Sequence, residues 1–189
     1  MKQQLLDYFN RYVSFSEEDI DSFFKYLTTA SYKKKDFILK EGAICKTTFF
    51  ITSGLVRTFK IDDKGNEKIL HFGIENWWVT NMESFVLQQP SKVYIQALED
   101  TNVLQISKVD LEKAYTAIPK LERAFRLITE KMLIAMERKN EYYLKLNSKE
   151  RYVDFVRQLK PFSQRVPQYM IASYLDITPE YLSELRKST

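Results

Sequence analysis

Apolar residues change their spacing along the chain, and each change marks a change of structure. At the start they recur at helical intervals. Leu5, Tyr8, Phe9 and Tyr12 share one face of "LLDYFNRYV", and "FSEEDIDSFFKYL" predicts a second helix. Ser16 suits its N-cap, Glu17, Glu18 and Asp19 favour the positive helix end, and Phe15 is placed to staple onto Ile20. From Ser31 to Ser107 the pattern shortens into strands. "DFILKEG", "TTFFITSGLVRTFKI", "EKILHFGI", "KVYIQAL" and "NVLQIS" are rich in β-branched and aromatic residues and are separated by turn signals. Asp62-Asp63-Lys64-Gly65-Asn66 predicts a hairpin turn, because Gly and Asn accept the positive φ that such turns need. Short strands at close intervals predict an antiparallel barrel or sandwich.

Helical spacing then returns. Ser107 caps a helix over "SKVDLEKAYTAI", and Pro119 opens a long one reaching Leu146. Leu121, Phe125, Ile128, Met132, Ala135, Lys139, Tyr142 and Leu146 follow an alternating four–three spacing that aligns them in one stripe. Leu127, Leu133, Ile134 and Tyr143 lie off that stripe, so the helix has apolar surface on more than one side. Two arrangements fit: one side on the strands and one on a second chain, or a helix buried within a monomer. The first makes the stripe a dimer seam and predicts monomers for Ile128→Asp or Met132→Asp. Lys139 departs from a strict coiled-coil pattern. Asn147-Ser148 marks a boundary, after which "KERYVDFVRQL" reads as a separate helix and "KPFSQRVP" as a loop.

Composition narrows the chemistry. A chain of 189 residues with 44% hydrophobic residues has enough apolar sequence for a core without staples. The single cysteine, Cys45, excludes an intramolecular disulfide and argues against a cysteine-held iron–sulfur cluster. His71 is the one histidine, which rules out a site built on clustered histidines and leaves "KILHFGI" as a strand with a structural histidine. No P-loop, nucleophile elbow or zinc-protease motif occurs, so an enzyme is not expected, and neither is a bound metal. With no leader-like start and no apolar run of membrane-spanning length, a soluble cytoplasmic protein is expected. A net charge of +4 permits a nucleic-acid partner without requiring one.

The closing stretch "QYMIASYLDITPEYLSELRKST" reads as two short helices. Ile171, Ala172 and Leu175 share a face of the first, which Pro167 starts, and Asp176-Ile177-Thr178 breaks it. Thr178 caps the second, Pro179 takes its first position, and Leu182 and Leu185 form its inner face. Ala172 lets the helices cross closely and Ile177 plugs the turn, which is the logic of a helix-turn-helix. Its outward positions are Thr178, Pro179, Glu180, Tyr181, Ser183 and Glu184, with Arg186 and Lys187 set to meet phosphates and Gln168 at the start of the first helix. Glu180 suits a cytosine amino group, whereas Glu184 repels phosphate unless it also meets a base donor.

Strand-rich roll, long helix and terminal helix-turn-helix, in that order, resemble the Crp/Fnr family of bacterial transcription regulators. "KEGAICKTTFFITSGLVRTF", with Gly42 and Gly54, and "IASYLDITPEYLSELRK" carry the resemblance. It implies an α+β chain. Residues 1–118 would form a cyclic-nucleotide-binding-like roll (a cupin-like, double-stranded β-helix) with N-terminal helices. Residues 119–146 would form a dimerisation helix and residues 147–189 a DNA-binding domain. It further implies a homodimer on an inverted repeat of double-stranded DNA, seamed along Leu121, Phe125, Ile128, Met132, Ala135 and Tyr142, with RNA polymerase as a further partner. The rival reading is a stand-alone sensor of small molecules or proteins whose terminal hairpin only packs.

Three features depart from the family, one being that the short β-wing expected after the hairpin is not found in the sequence up to Thr189. Members that bind cyclic AMP place a Gly-Glu pair on the ribose and an arginine on the phosphate. Here those positions fall on Thr80-Asn81 and Ser91, with Glu83 and Lys92 the nearest substitutes. A lysine lacks the planar fork of arginine, so cyclic AMP is not the expected ligand and no cofactor is assigned. Asn81, Glu83, Ser91 and Lys92 remain the candidate lining of an effector pocket, with Trp77, Trp78, Phe85 and Tyr94 as apolar wall or plain core. The family also often has a basic residue where Glu184 stands, so its base preference does not transfer.

Overall fold

The structure is a computed structural model that describes the backbone of residues 1–187 and all of their side chains except those of 158–162. Two helices open the chain, α1 (Lys2–Phe9) and α2 (Glu17–Phe24). Ser16 closes a capping box on α2: its hydroxyl accepts from the Asp19 N–H at 3.2 Å while the Asp19 carboxylate accepts from the Ser16 N–H at 2.7 Å. Eight strands follow: β1 (Thr28–Tyr32), β2 (Phe37–Leu39), β3 (Thr47–Ser53), β4 (Val56–Ile61), β5 (Glu67–Gly73), β6 (Trp78–Val79), β7 (Tyr94–Ala97) and β8 (Thr101–Ser107). A short helix, α3 (Met82–Leu87), interrupts them after β6. The helices after β8 are α4 (Lys108–Ala117), α5 (Lys120–Lys145), α6 (Ser148–Ser163), α7 (Gln168–Leu175) and α8 (Pro179–Lys187).

The strands make two antiparallel sheets in the orders β1-β8-β3-β6 and β2-β7-β4-β5. Register is set by pairs such as Phe50↔Leu104 between β3 and β8 and Thr58↔Ile95 between β4 and β7. Thr48 to Ile51 of β3 are all buried and do not alternate, because the strand is covered on both faces. One covering layer is α1: Tyr8 stacks edge-on against Phe50 at 5.2 Å, and Gln4 donates to the Thr52 carbonyl at 2.9 Å. Phe9, Phe23, Phe125 and Trp78 extend the same cluster, with Phe125 ring contacts at 5.7 Å to Phe9 and 5.1 Å to Trp78. Full burial of a ring such as Phe50 contributes roughly 1.5–3 kcal/mol, so this cluster dominates the local stability.

Contacts divide the chain into two units, Met1–Lys60 with His71–Glu130 and Ile61–Leu70 with Lys131–Thr189. The expected division at residues 118 and 146 does not coincide with this one. The first half of α5 belongs to the strand unit, and the tip of the β4–β5 hairpin belongs to the C-terminal helices. That tip is the predicted turn: the Asp62 N–H donates to the Asn66 carbonyl at 2.9 Å, and Gly65 adopts φ +81°. The Asp62 carboxylate also accepts from the Asn66 and Lys64 N–H groups, and the Asn66 bond foremost holds its carboxyl below the ordinary value. Where "KPFSQRVP" was expected to be a loop throughout, α6 runs on to Ser163.

Candidate nucleic-acid interface

Three helices of the C-terminal unit build the surface. α6 buries Tyr152 and Phe155, the following turn buries Val166, and α7 buries Met170, Ile171, Ala172 and Leu175. Leu182 and Leu185 of α8 close this small core. Ala172 is fully buried, and its carbonyl accepts from the Ile177 N–H at 3.0 Å, so the turn folds straight back onto α7. Asp176 ends α7 in the left-handed region at φ 55°, a place often held by glycine or asparagine and tolerated by aspartate. Thr178 then caps α8, its hydroxyl accepting from the Tyr181 N–H at 3.2 Å.

Burial of Leu182 and Leu185 fixes the rotation of α8. Pro179, Glu180, Tyr181, Ser183, Glu184, Arg186 and Lys187 are consequently exposed, as is Thr178 before them. Gln168 is exposed at the first position of α7, just after Pro167 at its cap. All the sequence-predicted reading residues therefore lie at the surface of one helical hairpin. α8 carries Glu180 in its first turn and Arg186 and Lys187 in its last, each matched to the helix dipole.

The same unit holds an arrangement that sequence reasoning missed. Ser173 of α7 accepts from the Ile69 N–H at 3.1 Å and donates to the Glu67 carbonyl at 2.9 Å, gripping the β5 side of the hairpin tip. Lys139 donates to the Leu70 carbonyl at 2.9 Å, with its ammonium 4.3 Å from the Tyr174 ring and 5.8 Å from that of Tyr143. Burial lowers the pKa of this lysine. The signal was present in the sequence, since Lys139 is the one cation in the apolar stripe, and only its partner was invisible. For Ser173→Ala we expect the Ile69 amide to exchange with solvent about five- to tenfold faster, the equivalent of losing about 1 kcal/mol of hydrogen bonding. Unchanged exchange, measured by NMR, would show that the hydroxyl does not hold the tip.

Comparison with known proteins bears on this geometry. The sequence model of the cyclic nucleotide-binding domain matches residues 29–117, the stretch that forms the strands and α4. The transcriptional activator protein Anr of Pseudomonas aeruginosa is 25% identical over 189 aligned residues, covering 92% of this chain and 75% of the relative. The electron transport regulator A of Shewanella oneidensis is 25% identical, covering 81% of this chain and 65% of its own length. Over most of its length the chain is thus similar to transcription regulators. Among solved structures, the c-di-GMP-responsive global regulator CLP of Xanthomonas campestris superposes with a TM-score of 0.75 at 18% identity, covering 92% of this chain and 91% of CLP. At that identity it supports the shared fold.

Within this fold two further sets of expected residues can be placed. Leu121 and Ile128 are 0% and 5% exposed, and Phe125 packs against the aromatic cluster. Leu121 and Ile128 belong to the chain's own core, and Phe125 is half-buried against it. Tyr142 also turns inward, its hydroxyl donating to the Arg151 carbonyl. Met132 and Ala135 are exposed, together with the off-stripe Leu133, Ile134 and Met136. The exposed apolar residues of the long helix thus include Met132 and Ala135 of the predicted stripe and lie on more than one side of it.

The candidate effector residues make local contacts. Asn81 caps α3 by accepting from the Ser84 N–H at 2.9 Å, and Glu83 pairs with Lys92 at 3.2 Å on the surface. Ser91 is buried, but its hydroxyl closes a tight turn with the Val93 N–H at 3.1 Å and carbonyl at 2.8 Å. Phe85 is core, Tyr94 stacks on Phe59 at 5.0 Å, Trp78 joins the aromatic cluster and Trp77 is exposed. Each of these polar groups serves local geometry. An open depression of about 780 Å³ lies beside Asp19, Lys25, Tyr26 and Lys120.

Proposed function

We propose that two copies of the chain bind duplex DNA as a symmetric regulator, each laying α8 in the major groove of one half of an inverted repeat. The observation that carries this reading is the fixed rotation of α8. Leu182 and Leu185 face inward, so a continuous polar face from Thr178 to Lys187 faces out on a capped helix. Arg186 and Lys187 meet phosphates, Gln168 adds a contact at the start of α7, and Glu180, Tyr181 and Ser183 face base edges. The partner is a second copy seated on Met132, Leu133, Ala135 and Met136, since exposed apolar residues grouped on a long helix need cover.

Cyclic AMP is not the ligand of the roll in this proposal. The arginine fork is missing at Ser91, and the hydroxyl there is spent on the Val93 backbone. Calorimetric titration is expected to give no binding, and micromolar affinity would overturn the point.

DNA binding is tested by selection from a random duplex library at low and moderate salt, followed by anisotropy titrations. An inverted repeat is expected, and the Arg186→Ala/Lys187→Ala pair should weaken binding evenly across sequences. The slope of log affinity against log salt should fall by about 1 for each lost phosphate contact. A chain that retains no duplex even at low salt would instead favour the stand-alone sensor.

A further inference from the structure

We infer that Glu184 is a specificity-determining residue which, with Glu180, selects amino donors (the N4 of cytosine or the N6 of adenine) at two neighbouring places in each DNA half-site. The inference rests on α8 being the reading helix and deepens that proposal by naming the DNA it prefers.

Geometry sets the spacing. Glu180 and Glu184 are exposed and stand four residues apart, on the same face once Leu182 and Leu185 are buried. Four residues of helix rise about 6 Å, against about 3.4 Å between successive bases on a strand. The two carboxylates therefore address positions one or two base steps apart. Ser183 lies beside Glu184 with a hydroxyl able to donate or accept, so it does not oppose either base.

Neither carboxylate is held by a side-chain partner. Among the described residues neither makes an ion pair or a side-chain hydrogen bond. Like charges four apart on a helix repel one another. Glu180 is compensated by the positive start of α8, whereas Glu184 sits in the second half, where the dipole disfavours an anion. An acid in that position costs helix stability and, close to a duplex, is repelled by phosphate. It becomes favourable only where it accepts a hydrogen bond from the partner.

Base chemistry then decides which partner. An ionised carboxylate only accepts. In the major groove cytosine and adenine each present an amino group, while guanine N7 and O6 and thymine O4 are acceptors. A guanine facing Glu184 would oppose acceptor to acceptor, whereas an arginine in the same place would choose guanine. The side chain thus both selects and rejects.

The test is selection from a random duplex library with the full chain as wild type, Glu184→Arg and Glu184→Gln, each first matched to wild type in thermal unfolding. The wild type should enrich cytosine or adenine at two positions of each half-site, one or two steps apart. Glu184→Arg should convert one of them to guanine, with a tenfold or greater change in relative affinity measured on single duplexes, and leave the other unchanged. Glu184→Gln should keep an amino donor at that position, with adenine preferred. Repeats enriched equally by all three proteins would overturn the role of Glu184 and leave α8 as the reading helix. Failure of every protein to enrich any duplex at low salt would overturn both.

Discussion

Gly54→Ala lowers the midpoint of thermal unfolding by roughly 10 °C or more. Gly54 joins β3 to β4 at φ +103°, a left-handed conformation that costs a residue with a Cβ about 1–3 kcal/mol. A Cβ there would lie 2.4 Å from the Thr101 Oγ1, 2.7 Å from the Thr101 Cα and 2.8 Å from the Asp100 carbonyl oxygen. Two of those atoms are backbone, and that backbone is fixed. Thr101 pairs with Tyr32 on one side, and Asn102 pairs with Ser53 on the other. Relief requires strand β8 to move, which adds about 1–3 kcal/mol of overpacking. Gly42 is the control, with φ +81° and nothing within 4 Å of its added Cβ. Gly42→Ala should show the conformational cost alone. Circular dichroism melts of the two variants separate the effects, and equal shifts would mean that contact with Thr101 adds nothing.

The outline of the fold was legible because local chemistry wrote it. Ser16 and Ser107 each cap the helix predicted for them, and the Asp62–Asn66 turn folds as its residues require. The terminal hairpin was legible for the same reason, with Ala172, Ile177 and Thr178 in the roles their types suggest. What escaped was short or polar. β1 has the sequence "TTASY", largely exposed, and is a strand only because β8 pairs with it. β6 is two residues long, and α3, at six, is shorter than any periodicity can establish. The local bonds of the candidate effector residues escaped for a different reason. A pocket is a property of space, and the sequence does not show that Ser91 and Asn81 are occupied by their own backbone neighbours. Lys139 and Ser173 belong to the same class, since their partners on the hairpin tip are about 70 and 100 residues away in the chain.

The long helix shows how spacing can be right and the partner wrong. A four–three stripe proves that one side of α5 is apolar, and says nothing about what covers it. Ile128→Asp and Met132→Asp, equivalent on the stripe, should therefore behave in opposite ways. Ile128 is 5% exposed in the core with Leu121 and Ala124. Aspartate there loses about 2–5 kcal/mol of packing and adds an unpaired buried carboxyl, a change that abolishes folding of the strand unit or leaves it marginal. Met132 is 43% exposed, so aspartate there costs the monomer little and places charge on the face proposed for the second copy. Light scattering and thermal melts on both variants decide the matter. The expected result is an unstable or aggregated Ile128→Asp protein and a folded monomeric Met132→Asp protein with much weaker binding to an inverted repeat. A stable monomer from Ile128→Asp would return that residue to the seam. A Met132→Asp protein that remains dimeric at micromolar concentration would remove this face of α5 from the interface.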